Sequence, residues 1–218
     1  MFAPKEIIDF LESILGIYLS DIRHKERSAF ILCDNLIEIS CKTRIKERNG
    51  NDNIKRDFPN SIEDAKLNKI LKKELLKRHK IRNDMQHLKL GITVDNQDCA
   101  CAIIGLVKVI KKLWGKYSLD DIPEWVSCAL RIVELYSNSS NHSKISTFEK
   151  ILLKDIDWNI DKINAFESSD QNLSIISNRF PNKNEIIIEV GAKNYWALLV
   201  REKTHLVNQC LDELDFHK

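Results

Sequence analysis

Apolar residues recur at every third or fourth position through most of this chain, and this spacing constrains the fold more than any other feature. The first stripe follows Pro4 and consists of Ile7, Leu11, Ile14, Tyr18 and Ile22. Similar stripes predict four further helices, over residues 26–48, 61–91, 95–115 and 123–136. Ser61 and Asp64 resemble a capping box at the start of the third helix, and Asp95 is the predicted N-cap of the fourth. Only six Gly and four Pro occur in 218 residues, which disfavours a turn-rich β sandwich. The sequence therefore predicts a mostly α fold, an antiparallel four- to five-helix bundle spanning residues 1–137.

The remaining residues, 138–218, have a different pattern and predict a small C-terminal extension that is α or α+β. Polar residues at 137–143 resemble a linker. Two β-prone runs at 185–190 and 195–200 are joined by Gly-Ala-Lys-Asn, which predicts a β-hairpin at about 185–200. Residues 202–214 return to a helical pattern. The role of this accessory region stays open at the level of sequence.

Composition excludes several classes of protein. Hydrophobic residues make up 43% of the chain, enough for a packed core, and no apolar run reaches the roughly 18–20 residues of a membrane span. The N-terminus lacks the layout of a signal peptide, so we expect a cytoplasmic protein without a membrane partner. Six cysteines contain no Cys-x-x-Cys pair. We therefore predict no disulfide framework, no metal site and no cofactor.

Charge is distributed unevenly along the chain. Residues 1–118 hold 23 Lys and Arg against 16 Asp and Glu, a net charge of +7, whereas residues 119–218 hold 11 against 16, a net charge of −5. The basic excess is concentrated in residues 66–89, and a basic helix of this kind is suited to an RNA backbone. It could equally be an ordinary solvated face. The candidate RNA-binding residues are Lys69, Lys72, Lys73, Lys77, Arg78 and Lys80.

The same segment contains Arg82-Asn83-Asp84-Met85-Gln86-His87. This run resembles the R-x4–6-H motif of the HEPN superfamily, whose members are small helical bundles. Many of them are metal-independent ribonucleases of toxin–antitoxin, CRISPR-linked and abortive-infection systems. The resemblance covers the helical front of the chain. It implies an endoribonuclease of a defence or toxin system, with Arg82, Asn83 and His87 as catalytic residues.

These residue types suit RNA cleavage by a 2′-OH, which leaves a 2′,3′-cyclic phosphate. Histidine can act as base or acid near neutral pH, and arginine presents a fixed fork of donors to phosphate oxygens. On a straight helix, however, Arg82 and His87 lie about 140° apart, so they do not converge. One histidine also cannot easily make both proton transfers. A two-fold homodimer answers both problems, in agreement with the resemblance.

Asp34 and Glu38 lie on one face of the second predicted helix, within an otherwise apolar run. They could form an exposed, salt-bridged face, or they could support the site by orienting Arg82 or His87 inside the bundle. The alternative to an enzyme is a non-catalytic helical binding module, an antitoxin or adaptor that uses the basic helix to hold a partner. In the enzyme interpretation, the partners are RNA, a second copy of the chain, and an antitoxin or regulatory protein.

Overall fold

The protein is mostly α-helical, as the sequence predicts. The computed structural model describes residues 2–20, 23–50, 57–87, 92–155, 200–201 and 204–216. Within them the helices are α1 (Lys5–Leu19), α2 (Lys25–Asn49), α3 (Phe58–Asp64), α4 (Lys69–Gln86), α5 (Asn96–Trp114), α6 (Glu124–Ser137), a 3₁₀ turn (Ser139–Asn141), α7 (His142–Asp155) and α8 (Thr204–Phe216). None of these helices is long and apolar enough to cross a membrane.

The chain divides into two compact units. The first comprises Met1–Tyr18 and Ile22–Ser139, and the second comprises Leu19–Asp21 and Ser140–Lys218. In the second unit, α7 packs against α8. The two units divide between Ser139 and Ser140, inside the polar run at 137–143, where a 3₁₀ turn lies between α6 and α7. The predicted hairpin at about 185–200 lies outside the described residues, apart from Val200, which is helical.

The core of the first unit is built around α5, which packs against both α2 and α6. Its helical stripe is buried almost throughout, and α2 and α6 meet it with fully buried side chains of their own. The largest of these side chains are Leu36, Ile103, Leu106, Ile110 and Ile132. This apolar contact fixes α2 as a rigid support, and α2 in turn carries the polar residues described below.

Capping residues set the ends of the central helices. Asp95 accepts a hydrogen bond from the backbone N–H of Asp98, and the Asp98 side chain accepts one from the backbone N–H of Asp95, so the predicted N-cap of α5 is confirmed. Gly50 ends α2 with a φ of 64°, in the left-handed region where glycine carries no side-chain penalty. Gly115 follows the last residue of α5.

The predicted third helix is interrupted and forms two helices, α3 and α4. A capping box of Ser61 and Asp64 was expected, and that prediction is wrong because Asp57 caps α3 instead. Pro59 lies in the first turn of α3, where its missing N–H costs nothing. Lys66 then adopts a φ of 57°, which ends the helical path. Asn68 starts α4 by accepting the N–H of Leu71.

Candidate functional site

Two polar residues interrupt the buried stripe of α4. The stripe consists of Leu71, Leu75, His79, Arg82 and Met85, with spacings of four, four, three and three residues, so all five lie on the face that packs against its neighbours. Leu71, Leu75 and Met85 are buried there as ordinary core residues. The His79 and Arg82 side chains also point inward, where each needs a polar partner.

Asp34 of α2 supplies that partner. The carboxylate is only 4% exposed, and its Oδ2 lies 2.8 Å from Nδ1 of His79. With Asp34 ionised, Nδ1 carries the proton and donates it to the carboxylate, which fixes the neutral ring as the Nδ1–H tautomer. Nε2 has no hydrogen-bond partner among the described residues, and the His79 side chain is 18% exposed. One nitrogen of the imidazole is thus fixed and the other is left open.

Phe58 of α3 packs against one face of the imidazole. The two rings are stacked with their centroids 4.0 Å apart and their planes within 5° of parallel. Phe58 itself is buried. The His79 ring is therefore fixed by a hydrogen bond from α2 and a flat aromatic surface from α3. An imidazolium over an aromatic face gains a favourable cation–π interaction.

Arg82 is held by amide oxygens. Its Nη2 donates to Oδ1 of Asn35 at 2.8 Å, its Nη1 donates to Oδ1 of Asn83 at 2.9 Å, and its Nε lies 3.7 Å from Oδ2 of Asp34. Each Nη carries a second N–H that these contacts leave unused. The side chain is 20% exposed. The guanidinium is consequently fixed in position while retaining donors for an anion.

The ionisation of Asp34 reflects opposing influences. Burial is the largest, and it raises the pKa of Asp34 above the ordinary value of an aspartate. The hydrogen bond and charge of His79, and the charge of Arg82, act to lower the pKa, whereas the nearby Glu38 adds to the rise. The net result is a raised pKa. The interactions with His79 and Arg82 thus offset only part of the cost of holding this carboxylate away from water.

The end of α4 places His87 apart from this cluster. His87 is the C-cap residue of the helix, with its backbone N–H bonded to the carbonyl oxygen of Asn83. Its side chain is exposed and has no hydrogen-bond or ion-pair partner in the part of the chain that the structure describes. Arg27 of α2 donates to the carbonyl oxygen of Met85 at 2.9 Å and secures this last turn. The structure brings Arg82 and Asn83 together but does not join His87 to them.

The two predicted supporting carboxylates differ in position. Asp34 contacts Arg82 directly, as a supporting residue was expected to do, whereas Glu38 forms an ion pair with Lys42 at 2.6 Å one turn away. The contact between Asp34 and Arg82 matches the interpretation that α2 orients the motif. Glu38 acts on this site through its charge on Asp34.

The six predicted RNA-binding residues fall into two groups. Four are exposed side chains along α4: Lys69, Lys73, Lys77 and Lys80. The other two are engaged within the protein, since Lys72 forms an ion pair with Glu63 and Arg78 packs over Gly105 of α5. A Cβ on Gly105 would lie 2.2 Å from Nη1 of Arg78, so the glycine makes room for the guanidinium. The exposed basic face of α4 is therefore smaller than the sequence suggests.

His79 and Phe58 are the site residues that sequence reasoning missed. The motif directed attention to spacings within α4, whereas His79 is defined by contacts across to α2 and α3. A signal was nevertheless present, because a polar residue at a position where the apolar stripe continues indicates a buried polar contact. Asp34 carries the same signal on α2.

The described residues contain no group of three or more His, Cys, Asp or Glu side chains that could hold a metal ion. No protein-family model matches the chain, and neither the curated proteins nor the solved structures include a significant match to it. The site is accordingly interpreted from its own geometry, together with the resemblance of its motif.

Proposed function

We propose that this protein is a metal-independent endoribonuclease of a defence or toxin–antitoxin system. The observation that carries the proposal is the fixed guanidinium of Arg82, which Asn35 and Asn83 hold beside the buried Asp34. A positioned arginine with unused N–H donors suits the crowded, doubly charged phosphorane that forms when a 2′-OH attacks the adjacent phosphate. The R-x4-H motif adds support from the resemblance.

In the proposed reaction, Arg82 stabilises the phosphorane and His87 takes part in proton transfer. The exposed position of His87 at the end of α4 leaves its imidazole accessible to RNA. Because Arg82 is directed toward α2, we propose that a two-fold homodimer brings His87 of one copy to Arg82 of the other. The exposed lysines of α4 then contact the RNA backbone. An antitoxin or other regulatory protein would cover the same basic face.

The test is RNA cleavage by the purified full-length chain in the presence of EDTA. We expect a 5′ fragment that ends in a 2′,3′-cyclic phosphate, a 3′ fragment that begins with a 5′-OH, and no cleavage of DNA, which lacks the nucleophile. Cleavage should be lost in His87→Ala and retained in His142→Ala, a change to a histidine at the start of α7. A strict magnesium requirement, or 3′-OH and 5′-phosphate ends, would exclude this mechanism.

A non-catalytic binding module is the second candidate, an antitoxin or adaptor that uses the basic face of α4. It is favoured by the engagement of Arg82 within its own subunit, with two amide oxygens and a carboxylate around it. The same experiment separates the two functions. A binding module shifts RNA or a partner protein in a gel without producing cyclic phosphate ends, and His87→Ala leaves that binding unchanged.

A further inference from the structure

Two features distinguish His79 from His87. The His79 ring is fixed by Asp34 and Phe58, and it lies one helical turn from Arg82 on the same face of α4. Its Nε2 is also without a partner in the described part of the chain. Asp34 also contacts both His79 and Arg82. The histidine that shares a setting with the arginine is therefore His79, which lies outside the R-x4-H motif.

We propose that His79 is the general base of the RNA-cleavage reaction, an inference that rests on the proposed function. A base requires an open nitrogen in a fixed tautomer and a neighbour that stabilises the cation it becomes. Nε2 provides the first, and Asp34, bonded to Nδ1, provides the second. His79 and His87 then divide the two proton transfers.

The cleavage consists of two proton transfers and the exchange of one P–O bond for another. Nε2 of His79 takes the proton of the 2′-OH as the O2′–P bond forms, and the imidazole becomes an imidazolium. The phosphorane charge lies against the unused N–H groups of Arg82. The P–O5′ bond then breaks, and the leaving O5′ takes a proton from the imidazolium of His87. The products are a 2′,3′-cyclic phosphate and a 5′-OH, and solvent water returns both histidines to their starting protonation states.

Charges around His79 are arranged to permit this cycle. Asp34 is the anion that bonds to the ring, Arg82 is a cation in contact with the same carboxylate, and Glu38 of α2 adds a second negative charge near Asp34. Phe58 contributes an aromatic face that favours the imidazolium. After proton transfer, Arg82 repels the positive charge on His79, and Asp34 contacts both of these side chains.

The separation of the two histidines agrees with a homodimer. Eight residues of α-helix place His79 and His87 about 12 Å apart along the axis of α4. A base and an acid on opposite sides of one phosphate have to lie much closer than this. In a two-fold pair, His79 and Arg82 of one copy would meet His87 of the other, so each cleft contains one base, one arginine and one acid.

The test uses a substitution that separates the structural role of His79 from its chemical role. The side-chain NH₂ of asparagine can occupy the place of Nδ1–H, so His79→Asn retains a donor to Asp34 but lacks Nε2. We expect the variant to unfold in urea near the wild-type midpoint, to bind RNA normally, and to lower kcat/KM by on the order of 10²–10⁴-fold. His142→Asn, the same change at the start of α7, is the matched control and should retain full activity.

Two further readouts distinguish a base from a structural histidine. For the wild type, kcat/KM should rise across the pH range in which an imidazole loses its proton, and His79→Asn should lack that rise. In His79→Ala, added imidazole should restore part of the activity by entering the space between Phe58 and Asp34, while the larger 2-methylimidazole should restore less. If His79→Asn instead folds less stably, rescue of His79→Ala by imidazole still tests whether His79 is the general base.

The outcomes for His79 and for the proposed function differ. If the wild type releases cyclic phosphate ends and His79→Asn does so at a comparable rate with the same pH profile, His79 is not the base and the ribonuclease proposal stands. If the wild type releases no cyclic phosphate ends, the proposed function fails, and the role of His79 fails with it. Loss of cleavage in His79→Asn together with rescue of His79→Ala by imidazole supports both.

Discussion

Asp34→Ala would remove a buried carboxylate that accepts the Nδ1–H of His79 and lies beside the guanidinium of Arg82. The hydrogen bond from His79 to Asp34 is 2.8 Å long, and Nε of Arg82 lies 3.7 Å from Oδ2 of Asp34. This Nε is buried and has no hydrogen-bond partner among the described residues. Removing one member of a buried ion pair costs about 3–5 kcal/mol, because the other member is left uncompensated. Here His79 and Arg82 are 18% and 20% exposed, so water can reach them in part. We therefore expect a loss of about 2–3 kcal/mol in the free energy of unfolding.

Urea unfolding, followed by far-ultraviolet circular dichroism near neutral pH, measures this loss. Asp34→Asn keeps the volume and leaves an oxygen that can accept the Nδ1–H of His79, so it should cost about 1 kcal/mol. The matched control is Asp9→Ala. Asp9 also forms an ion pair of 2.7 Å on a helix, with Lys5, but both side chains are largely exposed, and we expect an unchanged midpoint.

Asp34 and Asp9 form a matched comparison, since the contacts of Asp34 with His79 and of Asp9 with Lys5 are almost equally short and differ mainly in burial. If Asp34→Ala unfolds at the same urea concentration as Asp9→Ala, then Asp34 is not a buried partner of His79 and Arg82. That result would also remove the basis for a fixed tautomer at His79.

Four other predictions concern α4 and the residues in contact with it. Phe58→Ala removes a buried ring that stacks on His79 and should cost about 3 kcal/mol in urea unfolding, more than an exposed change of equal size. The folded state raises the pKa of Asp34 above its unfolded value of about 3.9, so protonation of Asp34 favours folding. The wild type should therefore gain stability relative to Asp34→Asn as the pH falls through the folded pKa toward the unfolded value. The gain is at most about 1.4 kcal/mol per pH unit. Arg82→Lys keeps the charge but loses the fork, and cleavage should fall on the order of 10²-fold; near-wild-type turnover would rule out its role at the phosphorane. Replacing Lys73 and Lys77 with Gln should weaken RNA binding and reduce the slope of its salt dependence by roughly one for each phosphate that a lysine no longer neutralises. A binding titration at several salt concentrations measures this slope.

Local rules of sequence were sufficient for most of the helices. The apolar stripes and the Asp95 cap predicted α5, and Pro123 preceded α6 as expected. The same rules failed between α3 and α4, where two capping signals lie only a few residues apart. The side chain of Asp57, with Pro59 in the first turn, fixed an earlier start than Ser61 suggested. The choice between adjacent caps depends on how both helices pack, which a single stretch of sequence does not encode.

The candidate site could be predicted only in part, for a similar reason. The placement of Asp34 in an apolar run of α2 indicated partial burial, and its contact with Arg82 was among the expected roles. The pairing of Asp34 with His79 joins residues 45 positions apart, and the stacking of Phe58 depends on α3, which the sequence did not separate from α4. The R-x4-H motif identified α4 and Arg82, which the structure places beside Asp34. The histidine one turn from Arg82 on the same face of α4 is His79, not the His87 of the motif.

α4 buries few apolar side chains, and this has a consequence for how readily it opens. Only three of its 18 residues are buried apolar side chains, compared with ten buried residues among the 19 of α5. Helices with little apolar burial open locally at a lower free energy than the core, so the backbone amides of α4 should exchange with deuterium well before those of α5. An RNA phosphate bound to Arg82 would engage the closed form alone. Saturating RNA should therefore slow exchange along α4 by a factor set by the RNA concentration relative to its Kd.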